Sequence, residues 1–163
     1  MTWRNPLQKF LFFFLLSVGF LCPGCASPYL KGVTPQGEKV YLGPLPIENT
    51  EPFQAYLQSR HTEVDKQHYL FQRLKDAKHL QFYHDGSWYN HLDAYRGGMW
   101  LMRNRYRKGQ DTRAFIRKYV ERSEDTGKLH LVKYPDGSVQ IGSSILANEL
   151  DLLEETLRKT AKT

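Results

Sequence analysis

Apolar residues change period several times along this chain, and each change predicts an element. Leu70, Phe71, Leu74 and Ala77 recur at helical spacing, with Val64 and Gln67 a turn or so earlier. They predict a first helix over residues 53–78, broken near 59–62, with Thr62 as the N-cap of its main part. Residues 80–83 then alternate, His84-Asp85-Gly86 turns, and Ser87-Trp88-Tyr89 returns. Asn90 caps a further helix whose stripe is Leu92, Tyr95, Met99, Met102 and Tyr106, and Gly109 ends it. Gly97-Gly98 interrupt that stripe at about 1 kcal/mol each relative to alanine, which leaves two readings, a kink or another element packed very close. Asp111 or Thr112 caps the next helix, with Phe115, Ile116, Tyr119 and Val120 on its buried face. Residues 129–134 and 138–141 flank Pro135-Asp136-Gly137 as a β-hairpin. Ser143 or Ser144 caps a last helix carrying Leu146, Leu150, Leu153 and Leu157. The order predicts an α+β domain, with about four helices packed on a small antiparallel sheet containing a β-hairpin.

The N-terminal pattern is of another kind. Arg4 and Lys9 precede twelve uncharged residues, 10–21, which Pro23 and Gly24 end. Basic, apolar and small segments in that order predict a secretory signal peptide over 1–24. A spanning helix needs about 20 apolar residues, so a transmembrane anchor fits less well. Cys25 follows small Gly24 at the end of the run and resembles a bacterial lipobox. That resemblance implies cleavage before Cys25, a diacylglycerol on its thiol, and a membrane-anchored lipoprotein of the bacterial envelope facing the periplasm or the cell surface. Ala26, in place of an aspartate, favours the outer membrane. Ordinary cleavage after Ala26 is the alternative. Either way Cys22 is lost and no internal disulfide remains, so the fold rests on its packed core.

Composition alters this picture in two places. Five of the eight prolines fall in residues 26–52, which predicts a lipidated, Pro/Gly-rich tether over 25–52 ahead of a domain over 53–163. Residues 39–42 are able to form a strand, through which part of the tether would dock on the domain. The formal net charge is +6, and residues 100–122 carry eight Lys and Arg against two Asp and Glu. Without Arg4 and Lys9, the excess lies wholly in that segment. Arg103, Arg105, Arg107, Lys108, Arg113 and Arg117 are therefore the candidate binding face, with Arg103 and Arg107 on one side of a helix. The leader argues against nucleic acid, which leaves an anionic envelope component or an acidic protein as partner. A solvated helical face is the plain alternative.

Residues 82–137 resemble the YfeK-like family of small bacterial envelope proteins, a domain of unknown function. The resemblance rests on Phe82-Tyr83-His84-Asp85-Gly86-Ser87-Trp88-Tyr89, Ala94, Phe115-Ile116, Ser123, Gly127-Lys128 and the segment 133–137. It implies location and fold, not an activity. Gly97-Gly98 and Leu101 stand where that family carries a His-Leu-x-x-Lys step, and Leu129-His130 replace its Pro-Tyr.

Candidate chemistry is sparse. The six histidines include no i, i+4 pair of a helical zinc motif and have no cysteine partner. His84, Asp85 and His91 converge only if the hairpin folds back on the helix start, which would make a small envelope enzyme or metal-binding protein. No Gly-x-Ser-x-Gly elbow is present. Ser123 is a candidate oriented hydroxyl near Lys128, and Asp85 with Asp136 a carboxylate pair if their turns lie side by side. Local turn bonding explains all three more simply. A binding or structural module is favoured over an enzyme, with no catalytic residue, metal or cofactor assigned.

Overall fold

A computed structural model describes residues 29–161; the expected leader over 1–24 and Cys25 lie outside the described residues. The helices are α1 Glu51–Leu57, α2 Glu63–Asp76, α3 His91–Arg105, α4 Thr112–Phe115 and α5 Gly142–Thr160. The strands are β1 Gln81–His84, β2 Ser87–Tyr89, β3 Leu131–Lys133 and β4 Val139–Ile141. They form one antiparallel sheet in the order β2-β1-β3-β4, with β1 and β2 as a hairpin. The fold is α+β, as the periodicity predicts, with five helices. Among the described residues no helix is long and apolar enough to cross a membrane.

The expected break in the first helix separates α1 from α2. Tyr56 stacks on His61 there, and His61 takes φ +56°. Thr62 then opens α2 with a reciprocal cap: its hydroxyl accepts from the Asp65 amide, and the Asp65 carboxylate accepts from the Thr62 amide. The Gly97-Gly98 question resolves as close packing, since α3 is continuous through both. A Cβ on Gly98 would lie 2.4 Å from the Phe71 ring, so glycine lets α3 settle onto α2.

Four expectations are corrected. No serine caps α5: Ile141 occupies the N-cap without a side-chain bond, and Ser143 and Ser144 lie inside the first turn. Strand β4 runs straight into the helix, and the Gly142 amide bonds back to the His130 carbonyl at 2.9 Å, so no loop is left to carry a cap. Arg103 and Arg107 do not share a helix face, because Tyr106 leaves α3 in extended geometry. Leu92 is 43% exposed, so the α3 stripe is buried only in part. The fourth concerns the proline-rich segment: docking, expected for part of it around residues 39–42, already begins at Leu30.

Residues 29–50 form a strap across β4 and α5. Leu30 bridges Gln140 in parallel, and its backbone pairs with Val139 and Ile141 at 3.0 and 2.9 Å. The rest is held by side chains. The Gln140 amide accepts from the Gly32 amide and donates to the Val33 carbonyl. Asn148 donates to the carbonyls of Gly32 and Val40. Glu149 accepts from the Leu42 amide at 2.6 Å and pairs with Arg73 at 3.1 Å, while Arg73 also donates to the Pro44 carbonyl. Leu42 and Ile47 sink into the core beside Phe53, Tyr69 and Leu150. Helix α1 begins at Glu51, with Pro52 in the first turn, where its missing N–H costs nothing.

Candidate functional site

A cleft of about 730 Å³ opens between α3, the β1–β3 face and the turn after α4, and it reaches Leu42 of the strap and Leu146 of α5. Its floor is apolar, built from Phe71, Phe82, Tyr119, Val132 and Leu146. Ala94, Gly97, Gly98 and Leu101 of α3 form one wall. Phe71 fills the space beside Gly98, whereas a Cβ on Gly97 would meet nothing within 4 Å. Gly97 thus keeps the wall low. Trp100 stands exposed on the rim, with the Arg105 guanidinium 5.6 Å from its ring centroid and bridged to Glu124 at 2.9 Å. Such a volume with few polar groups is typical of a small-molecule site.

One end of the cleft is polar. After α4 the chain makes a π-helical turn, Ile116–Val120, and its last carbonyl has no helical partner. His130 supplies one: its Nδ1 lies 2.9 Å from the Val120 oxygen. A carbonyl cannot donate, so that contact puts the His130 proton on Nδ1 and leaves Nε2 as an acceptor. His84 Nδ1 lies 2.9 Å from this Nε2. Its other nitrogen, Nε2, faces Asp85 Oδ2 at 3.5 Å. Asp85 is itself fixed, accepting from the Ser123 hydroxyl at 2.7 Å and from the Thr126 hydroxyl. Hydrogen bonds from Thr126 and Ser123 hold the Asp85 carboxyl below its ordinary value. Burial pushes the His130 imidazole below its ordinary value, which favours the neutral ring.

These contacts rearrange the candidate chemistry. His84 and Asp85 do come together, but their companion is His130; no bond joins His91 to them. Ser123 is an oriented hydroxyl whose acceptor is Asp85, while Lys128 meets it only through a backbone bond from the Ser123 amide to the Lys128 carbonyl. Asp85 and Asp136 form no pair. Strands β1 and β3 are antiparallel, so their turns project from opposite ends of the sheet, and Asp136 bonds Ser138 within its own turn. The cue for His130 was its place just before β3, opposite the end of β1; only strand pairing reveals it.

The basic segment is divided. Arg113 bridges to Asp151 and Glu154 on α5, both at 2.8 Å, and Arg105 is held by Glu124. Arg103, Arg107, Lys108 and Arg117 are exposed and make no ion pair among the described residues. Among the described residues, no group of three or more His, Cys, Asp or Glu side chains is placed to hold a metal ion. Compared with protein-family models, curated proteins and solved structures, the chain matches none.

Proposed function

We propose that this chain is a bacterial envelope lipoprotein whose folded domain is a binding module, and that the cleft under Gly97 is its ligand site. The cleft itself carries the reading: about 730 Å³ of largely apolar space, bordered by exposed Trp100 and the Arg105–Glu124 pair. It suits a compact ligand with an apolar or aromatic body. The location rests on the leader pattern, on Cys25 and on the resemblance of residues 82–137 to envelope proteins. Arg103, Arg107, Lys108 and Arg117 would draw the module toward an anionic envelope component or an acidic protein, which makes the basic surface a steering feature beside the cleft.

An uncharged fluorescent naphthylamine tests the cleft. The wild type binds it, and Gly97→Phe, which fills the cleft from an open position, weakens binding at least tenfold, or about 1.4 kcal/mol. Equal binding by two equally folded proteins removes the cleft from the reading. Cys25→Ala abolishes labelling by a fatty-acid probe in cells and releases the protein from membranes; labelling that persists rejects the lipid anchor.

A further inference from the structure

We propose that the groove between the start of α5 and the turn after α4 is a site for a phosphate group, held by Ser143, Ser144 and Arg117. It is separate from the cleft, with which it shares no lining residue, and does not depend on it. The groove measures about 260 Å³. The first amides of a helix have no intrahelical acceptor and carry the positive end of its dipole. Helix α5 is 19 residues long, has no acidic residue in its first turn, and is capped by no side chain. The carbonyls of Leu30 and His130 take the Ile141 and Gly142 amides, which leaves those of Ser143 and Ser144 as the donors of this end. The Ser143 side chain points to a ligand independently. Ser143 is only 8% exposed and lines the groove, yet its hydroxyl has no hydrogen-bond partner among the described residues. A hydroxyl withdrawn from water and left unbonded is costly until a ligand or water meets it.

Arg117 supplies the charge. It lines the groove from the π-helical turn, is exposed, and makes no ion pair among the described residues. Arg113, four residues earlier, is already committed to Asp151 and Glu154. Glu121 is the one carboxylate lining the groove among the described residues, and it lies 4.0 Å from the Arg122 guanidinium. Helix-end amides, two hydroxyls and a free guanidinium are all donors, and a phosphate presents acceptor oxygens in several directions at once. A planar carboxylate would meet fewer of these donors, and an apolar or cationic ligand none.

The test is an NMR titration of the full chain, purified in detergent, with sodium phosphate at an ionic strength held constant with sodium chloride. The expected result is a saturable shift of the Ser143 and Ser144 amide signals that sodium chloride alone does not produce. Arg117→Gln, at an exposed position, keeps the fold and weakens binding at least about tenfold, the loss of a charge-assisted hydrogen bond. Ser143→Ala weakens it about fivefold, the loss of a neutral one. Glu121→Gln removes a repulsive charge and tightens binding about threefold. Lys118→Gln, the same change of charge on a neighbour outside the groove, alters affinity by less than about twofold. Glycerol 3-phosphate in a parallel titration identifies the source: tighter binding than inorganic phosphate assigns a phospholipid headgroup, and equal or weaker binding assigns free phosphate. Equal losses in Arg117→Gln and Lys118→Gln mean diffuse charge attraction and overturn the site. An affinity unchanged in Ser143→Ala, or no saturable shift in the wild type, overturns it as well.

Discussion

The two ends of the sheet handle their polar groups in opposite ways. At the β4 edge the strap covers the strand, and Arg73, Gln140, Asn148 and Glu149 are buried, each bonded to the strap or to one another. At the β2 edge no described residue pairs with the outer side of the strand. Ser87, Trp88 and Tyr89 are all exposed, and His84 and His130, joined to each other, line the cleft. Burying a charged pair costs desolvation, and the closed end offsets it through multiple bonds to one carboxylate. The open end retains exposed aromatic surface, Trp88, Tyr89 and Trp100. Under the proposed function, stability and binding are divided between the two edges of a four-stranded sheet.

The largest expected effect breaks the closed end. Glu149→Ala leaves Arg73 buried without its carboxylate and the Leu42 amide without an acceptor, and costs about 3–5 kcal/mol in urea unfolding. A loss under about 1 kcal/mol would mean that the strap is held chiefly by Leu42 and Ile47, and the contrast between the edges would narrow. A smaller effect sharpens the open end. Gly98→Ala drives a methyl into Phe71 and destabilises by about 1–3 kcal/mol. Its neighbour responds with the opposite sign: Gly97→Ala meets open space and stabilises α3 by up to about 1 kcal/mol in thermal unfolding. Equal responses at the two glycines would contradict the packing of α3 on α2.

Much of the fold was legible because it is local. The Thr62 and Asn90 caps, the Asp85-Gly86 turn and the break before α2 each depend on residues within a few positions of one another. The α5 stripe was equally plain, since Leu146, Leu150 and Leu153 face the core at helical spacing. The missing α5 cap was not legible, because a strand can enter a helix directly when a distant carbonyl, here His130, takes the first amide. The full extent of the strap was not legible for a related reason. Its prolines and glycines exclude regular elements, but its bonding partners, Gln140, Asn148 and Glu149, lie more than 100 positions away. The candidate site was half legible: His84, Asp85 and Ser123 stood out, and His130 did not.

The order of helices and strands, the leader-like N-terminus and the concentration of charge in residues 100–122 were determined by the sequence alone. Period and composition encode those properties over short windows. Tertiary structure decided which charges are spent on α5, which edge of the sheet is covered, and that His84 meets His130. Those outcomes depend on strand register and on side chains that bridge distant segments, and one-dimensional spacing carries no record of either.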